Sequence, residues 1–141
     1  MIINIASEKD IEKLIPVIKE LRKHRSEDEL REMLKGLMKD RFQVIYIGDK
    51  NEVFCMAGFR TMEVMFSGKT LYVDDLITHP NHRKKGYAGS LLKWMIQYAK
   101  ENGYDHFSLD SGNERKDAHR LYRKHGLDII GSHFAKDVKY L

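Results

Sequence analysis

Alternation between short apolar runs and apolar stripes at helical spacing predicts the order of the elements along the chain. The segment 71–78 is rich in β-branched and apolar residues and predicts a strand, which Pro80 would end because proline cannot donate to a ladder. After a short basic loop, one apolar stripe predicts a long helix over 88–101, built on Ala88, Leu91, Leu92, Met95, Ile96 and Ala99. Gly103 lies where a left-handed residue is expected to end that helix.

The same patterns predict the remaining elements. Strands are predicted over 1–5, 42–47, 53–66, 106–110 and 134–141, and helices over 7–21, 26–38 and 114–125. Pro16 predicts a kink or a break in the first helix, and Gly58 a bend in the long strand. An antiparallel meander followed by β–α–β–α–β predicts an α/β (α+β) fold, with a mixed, mostly antiparallel sheet and helices on both faces.

The loop before the helix at 88–101 carries the first candidate chemistry. Arg83, Lys84 and Lys85 precede Gly86 and Ala88 at the start of the helix. The unpaired amides and positive dipole end of a helix N-terminus bind anions, and a residue without Cβ lets an anion approach the backbone. This spacing predicts a phosphate or pyrophosphate site. A solvated basic turn before a helix is the equally weighted alternative.

Composition narrows the function classes. The 141 residues are 42% hydrophobic and 33% charged, which fits one globular domain over 1–141 and argues against disorder. No apolar run approaches membrane-spanning length, and the start of the chain lacks a signal-peptide pattern, so no membrane partner is expected. The single Cys55 makes a reduced, cytoplasmic setting the simple interpretation. The net charge of +4 is compatible with nucleic acid, a membrane surface or an anionic cofactor.

Two blocks of residues resemble one family. The run Arg83-x-x-Gly86-x-Ala88 after a strand looks like the acetyl-CoA loop of the GNAT acetyltransferase superfamily. A second block is similar to the final strand–helix unit of that family, and comprises Asn113, Ala118, Leu121-Tyr122 and Gly126-Leu127. Leu127 replaces the usual Phe, and Lys84 stands where the family often has Gly, which makes this loop more basic and less flexible.

The resemblance implies an N-acetyltransferase that moves an acetyl group directly from acetyl-CoA to a primary amine of a small molecule or peptide. It implies a GNAT-like sheet with a splayed parallel pair, 71–78 and 106–110, and a pantetheine arm between the two strands. That arm would pair with backbone near Leu76, Ile77 and Thr78, in part through a β-bulge. The residues expected to hold acetyl-CoA in the loop and before the last helix are Arg83, Lys84, Lys85, Gly86, Tyr87, Ala88 and Asn113. Capping of the last helix is an equally weighted role for Asn113.

Three residues are candidates for proton transfer. Asp74 and Asp75 interrupt an apolar strand, and a carboxylate there would attract a cationic amine and remove its proton. Successive strand residues face opposite ways, so only one is expected to reach the site unless a bulge intervenes, with Asp74 first and Asp75 second. Pairing with a lysine at the sheet surface is the alternative for either acid. Tyr122, one turn after Ala118, is the candidate acid for the departing thiolate, or else a core tyrosine.

Weaker candidates for the acceptor side are Ser111, His119 and His133, for which an ordinary surface role is the alternative. His79-x-x-His82 resembles half of a metal site, but no second pair has ligand spacing and no metal is expected.

Three other functions compete with the transferase. A catalytically silent acyl-CoA-binding sensor is the first alternative. A basic nucleic-acid-binding domain is less favoured because no binding motif is present, and a P-loop phosphotransferase is disfavoured because its glycine–lysine pattern is absent. No nucleic-acid partner is therefore expected. The sequence leaves open the identity of the acceptor and the oligomeric state, for which a homodimer is a family-level guess.

Overall fold

A five-stranded mixed sheet forms the frame of the first part of the chain. The computed structural model describes residues 1–140, and the sheet lies in a unit spanning Met1–Leu109. Its strands are β1 (Asn4–Ile5), β2 (Phe42–Gly48), β3 (Val53–Val64), β4 (Gly68–Thr78) and β5 (His106–Leu109), in the spatial order β1-β2-β3-β4-β5. Neighbours are antiparallel except β4 and β5, which are parallel. The predicted fold class, mostly antiparallel with one parallel pair, is confirmed.

Three helices belong to the same unit: α1 (Ile11–Leu21), α2 (Glu27–Met38) and α3 (Tyr87–Glu101). The α2 N-terminus is a capping box, in which Ser26 Oγ accepts from the Glu29 amide at 3.1 Å and Glu29 accepts from the Ser26 amide at 3.1 Å. Gly103, with φ of 71°, follows α3 in the predicted left-handed conformation. A second unit begins at Asp110 and contains α4 (Lys116–Lys124), which Gly126 follows at φ of 86°.

The helices of the first unit cover both faces of the sheet. Apolar residues of α1 and α2 form one core cluster with alternate residues of β2, namely Phe42, Val44 and Tyr46. On the neighbouring strand β3, the Phe59 ring packs instead against Trp94 and Tyr98 of α3, with ring centroids 6.3 and 5.7 Å away. Because neighbouring residues of a strand point to opposite faces, α3 lies on the face opposite α1 and α2.

The β3–β4 ladder contains a one-residue bulge. Phe59 pairs with Val73, whereas Gly58 pairs with Asp75, so Asp74 is the extra residue on β4. Gly58, where the sequence predicts a bend, borders this register shift, and a Cβ there would overlap the Phe42 ring, which occupies the space beside this glycine. The bulge places Asp75 opposite Gly58 and Val44, on the face that α1 and α2 cover.

One prediction of local structure is wrong. The segment 134–137 forms no strand, and Val138–Tyr140 forms a 3-10 turn; Leu141 lies outside the described residues. Alternation over so few residues forms a strand only where a ladder partner exists, and Phe134 and Val138 are instead exposed. Of the two outcomes predicted at Pro16, the break does not occur: α1 is continuous, and the missing amide would have bonded to the carbonyl of exposed Glu12, which water can reach.

Within the described range 1–140, no helix combines the length and apolar character needed to cross a membrane.

Candidate active site

The loop between β4 and α3 has the backbone of an anion site. Gly86 is the N-cap of α3 with φ of 81°, and a Cβ built on it would meet no atom within 4 Å beyond its chain neighbours. The first intrahelical bond runs from the Ser90 amide to the Gly86 carbonyl at 3.1 Å, so the amides of residues 87–89 precede the hydrogen-bonded ladder. Open space therefore lies beside a helix N-terminus that attracts negative charge.

Side chains of the loop add positive charge around that space. Arg83, Lys84 and Lys85 are all exposed, and Arg83 Nε donates to the Thr78 carbonyl at 3.4 Å. Lys84 adopts φ of 62°, a left-handed conformation that costs a residue with a Cβ. This geometry gives a physical reason for the glycine that the resembling family often has there. Tyr87 and Ala88, in the first turn of α3, are half-buried.

A stacked group of rings supports the loop from β3. The Phe54 ring stacks on His82 with centroids 4.0 Å apart and on Tyr87 at 5.8 Å. His82 Nε2 also contacts the Glu52 carboxylate. Sequence reasoning missed this packing, although the apolar Phe54 at the start of β3 lies beside the C-terminal end of β4 once the hairpin is paired. The ring face and Nε2 of His82 thus make structural contacts, whereas its Nδ1 is buried without a hydrogen-bond partner. Residues 1–140 contain no cluster of three or more His, Cys, Asp or Glu side chains arranged for a metal ion.

The strand before the loop extends beyond the end of its parallel neighbour. Pairing of β4 with β5 covers Thr70 to Val73 and ends at Val73 with Leu109, whereas β4 continues to Thr78. Among the described residues, the edge of β4 that faces away from β3 has no strand partner beyond Val73. Leu76, Ile77 and Thr78 lie on this segment, and Thr78 Oγ1 donates to Cys55 Sγ at 3.3 Å. A free strand edge leading into an anion loop suits a long ligand with amides at one end and phosphates at the other.

Both acids of β4 lie on one face and both are paired with arginine. Arg60 Nε of β3 donates to Asp74 Oδ2 at 2.7 Å. Arg22, directly after α1, donates to Asp75 Oδ1 from Nε at 3.0 Å and from Nη2 at 2.5 Å. The bulge thus removes the expected choice between the two acids, since it turns Asp75 to the same face as Asp74. The ion pairing that the alternative predicted is present for both acids, although the partners are arginines rather than lysines.

Burial dominates the electrostatics of Asp74. Burial raises the pKa of Asp74 above its ordinary value, and this effect outweighs the opposing hydrogen bond and charge of Arg60. The Asp74 hydrogen bond is in turn the main cause of a raised pKa for Arg60. Because burial dominates, this carboxylate is more basic than an ordinary aspartate. The ion pair with Arg60 is made through Oδ2.

Sequence reasoning missed both arginines, but only one left a signal. Counting the β3–β4 hairpin back from Gly68 pairs Arg60 with Tyr72, which places Asp74 diagonally across from Arg60 on the same face. Arg22 has no such local relation, because it lies 53 residues from Asp75 and meets it only through packing of α1 on the sheet.

In the second unit, Tyr122 is the buried residue of α4 and lies one turn after half-buried Ala118. Burial raises the pKa of the Tyr122 phenol above its ordinary value, against a smaller lowering effect of Arg115. The phenol is therefore protonated at neutral pH, as a proton donor must be.

The remaining candidates surround the start of α4. Asn113 does not cap the helix, which begins at Lys116 with Arg115 as N-cap; a turn in which the Arg115 amide bonds to the Gly112 carbonyl comes first. Ser111 Oγ is buried without a hydrogen-bond partner in this structure. His119 Nε2 lies 2.9 Å from the Gly112 carbonyl, and His133 Nδ1 lies 3.7 Å from Asp110 Oδ2.

Comparison with known proteins agrees with this geometry. The family model described as "Acetyltransferase (GNAT) family" matches residues 9–127. The uncharacterized N-acetyltransferase YhdJ of Bacillus subtilis is 30% identical over 125 residues, which cover 87% of this chain and 88% of that protein.

Solved structures show the same fold at low sequence identity. A transcriptional regulator from Bacillus halodurans superposes with a TM-score of 0.86 at 22% identity, covering 96% of this chain and 98% of that one. An aminoglycoside N-acetyltransferase in complex with CoA superposes with a TM-score of 0.84 at 13% identity, covering 97% and 94%.

Proposed function

This chain belongs to the GNAT acetyltransferase family and is an acetyltransferase; on that premise we propose that it transfers an acetyl group from acetyl-CoA directly to a primary amine. The observation that carries the proposal is the loop at 83–88. It combines three exposed cations, a left-handed Gly86 with open space beside it, and the free amides of a helix N-terminus. The CoA bound to the aminoglycoside acetyltransferase of the same fold supports the choice of ligand.

The residues of the loop and of β4 fit acetyl-CoA as the co-substrate. Arg83, Lys84 and Lys85 would neutralise its phosphates, and the amides at the start of α3 would bind the pyrophosphate. The edge of β4 at Leu76–Thr78 would pair with the pantetheine amides, since it has no strand partner of its own. When bound, acetyl-CoA supplies the thioester whose acetyl group is transferred.

On the acceptor side, Asp74 would receive the proton of the substrate ammonium, directly or through water. Its raised pKa makes it a stronger base than an ordinary aspartate, and Oδ1 is not used by Arg60. Asp75 is bound at Oδ1 by two guanidinium nitrogens of Arg22, which favours a structural role for it. The free amine would then attack the thioester carbonyl. Formation of the C–N bond and cleavage of the C–S bond would leave a thiolate that needs one proton and an amide nitrogen that gives up one.

Tyr122 would supply that proton. Its buried phenol stays neutral over the physiological pH range, and a thiolate whose conjugate thiol has a pKa near 8.5 is a suitable proton acceptor. Asn113 and the unpartnered hydroxyl of Ser111 would hydrogen-bond pantetheine or acceptor, with His119 and His133 at the border of the acceptor site. The reduced Cys55 is consistent with a cytoplasmic reaction.

The decisive experiment is a screen of primary amines with acetyl-CoA, in which release of free thiol is measured. We expect at least one amine to give turnover, and we expect Gly86→Glu to abolish it because bulk and negative charge enter the phosphate position. Gly103→Glu is the matched control. Gly103 has a similar positive φ and an equally open Cβ position, but it follows the opposite end of the same helix.

Two outcomes would contradict the proposal. Binding of acetyl-CoA without turnover on any amine would favour a silent acyl-CoA sensor. Equal activity of the Gly86→Glu and Gly103→Glu proteins would remove the loop from the mechanism.

A further inference from the structure

Arg22 connects the first helical pair to the middle of β4. It is the C-cap residue of α1 and is half-exposed, with 40% of its side chain accessible. Besides its two bonds to Asp75 Oδ1, its Nη2 donates to the backbone carbonyl of Asp74 at 3.1 Å. One planar guanidinium therefore binds a side chain and a main-chain carbonyl of adjacent residues, which the fork of donors in arginine permits.

These contacts fall on the bulge. Asp74 is the residue that the β3–β4 ladder skips, so its backbone lacks the regular strand partner that its neighbours have. Pairing with β5 ends one residue earlier, at Val73. The guanidinium thus binds β4 where its register with β3 shifts and where its pairing with β5 has ended.

The side chain of Asp74 is held separately. Arg60 binds Oδ2 from β3, while Arg22 binds the carbonyl of the same residue from α1. The direction of the Asp74 carboxylate thereby depends on two fixed points, one on its side chain and one on its backbone. Loss of the backbone contact would let the bulge rotate while the ion pair with Arg60 remains.

An ordinary surface ion pair is a poor description of Arg22. Ion pairs at an exposed surface contribute little to the free energy of folding. The protein also contains such a pair for comparison: Arg31 of α2 binds Glu12 at 2.5 and 2.9 Å and Asp28 at 2.7 Å, all on the two helices and none on the sheet. Arg22 differs because its fork reaches a strand carbonyl beside the candidate base.

We propose that Arg22 is a positioning residue for acetyl transfer, which holds the β4 bulge and thereby directs the carboxylate of Asp74 toward the acceptor amine. This inference rests on the proposed function and adds a residue to it. Asp75 then serves as the anchor for Arg22, which accounts for two adjacent acids of which one carries the proton transfer.

The test uses Arg22→Lys and Arg22→Gln in the full chain, with Arg31→Gln as the matched control for loss of an arginine from the α1–α2 pair. Lysine keeps the charge but lacks the fork, so we expect kcat to fall by about tenfold to a hundredfold, the scale of a 1 Å misplacement. The KM for the amine and the acid limb of the pH profile should change little.

Arg22→Gln separates position from charge. The kcat of Arg22→Gln should fall as far as that of Arg22→Lys, and the acid limb of its pH profile should also move to higher pH. The reason is that the groups facing Asp74 are Arg60 of β3, Asp75 of β4 and Arg22 of α1, and the charge of Arg22 is one of those that lower the Asp74 pKa. Arg31→Gln should match the wild type in both measurements.

The outcomes distinguish this inference from the proposed function. The inference alone is overturned if the wild type turns over and both Arg22 variants keep the wild-type kcat and the wild-type acid limb of the pH profile. Equal loss of kcat in the Arg22 and Arg31 variants, in proportion to loss of melting temperature, also overturns it, since the role would then be structural. A wild type that transfers acetyl to no amine overturns the proposed function and this inference together.

Discussion

At the scale of single residues, the raised pKa of Asp74 predicts a pH dependence. A base must be ionised, and burial moves the pKa of Asp74 above the ordinary aspartate value of about 3.9. The acid limb of kcat/KM should therefore lie above that value. Asp74→Asn should lower turnover by roughly 10²–10⁴-fold with little change in the affinity for acetyl-CoA, measured by steady-state kinetics and calorimetry.

Asp75→Asn is the matched comparison at the next position. It keeps the shape and an acceptor oxygen for Arg22, so we expect a smaller loss than for Asp74→Asn and an acid limb that persists. A larger loss from Asp75→Asn would reverse the roles of the two acids.

Tyr122 gives a prediction at the opposite end of the pH scale. Since its pKa is raised above the ordinary value of about 10, the alkaline limb due to this phenol should lie above pH 10. Tyr122→Phe should remove that limb and lower turnover by roughly 10²–10⁴-fold if proton donation limits the rate. Acetyl-CoA binding should be nearly unchanged. A folded Tyr122→Phe protein with full turnover would assign the proton to solvent or to the product ammonium.

At the scale of elements, the β4–α3 loop combines strain with charge at Lys84. Lys84→Gly should stabilise the fold by up to about 1 kcal/mol, because a left-handed lysine costs about 1–2 kcal/mol and glycine returns part of this as unfolded-state entropy. Lys84→Gln keeps the strain. Both variants should bind acetyl-CoA more weakly, since both lose a cation beside the phosphate position.

Denaturant unfolding and calorimetry separate the two effects of these substitutions. Arg41→Gly is the control, because Arg41 has the same φ of 62° outside the loop. It should gain stability without losing affinity. Equal stability of the Lys84→Gly and Lys84→Gln proteins would show that the strain at this position is negligible.

How far the sequence predicts the elements depends on whether each buries a continuous face. The α3 stripe and strands β2 to β4 were predicted within a few residues, because their apolar periods match the sides that pack. The bulge at Asp74 could not be located, since one inserted residue leaves the composition of β4 unchanged and alters only its register. In the segment at 134–140 the error is the reverse: the alternating pattern predicts a strand, but no neighbouring strand pairs with it.

For the candidate site, the sequence predicts the backbone geometry of the loop at 83–88, while the ligand of that loop stays a prediction. The loop at 83–88 needs only a strand end, cations, a glycine and a helix start, all within a few residues. The partners of the acids depend on tertiary packing, and Arg22 approaches Asp75 only because α1 buries its apolar side on the sheet. Long-range contacts of this kind have no periodic signal in one sequence.

At the scale of the whole molecule, a net charge of +4 with three exposed cations in one loop predicts salt-dependent binding of acetyl-CoA. A ligand at 100 times its Kd stabilises the native state by about 2.7 kcal/mol, so the melting temperature should rise by several degrees in low salt. Raising the salt from 0.1 to 1 M shortens the Debye length from about 10 to 3 Å, which should weaken binding and reduce the rise.

Two variants with the same change in net charge separate the contribution of the loop cations to acetyl-CoA binding from that of the overall charge. Lys85→Gln removes a cation from the loop, whereas Lys93→Gln removes one from the exposed side of α3 and leaves the loop intact. If local charge at the loop binds the phosphates, Lys85→Gln should reduce both the melting-temperature rise and its dependence on salt, and Lys93→Gln should behave as the wild type. Equal effects of the two variants would mean that the overall charge of the protein, rather than the loop, attracts acetyl-CoA, and the phosphate site would have to be sought elsewhere in the chain.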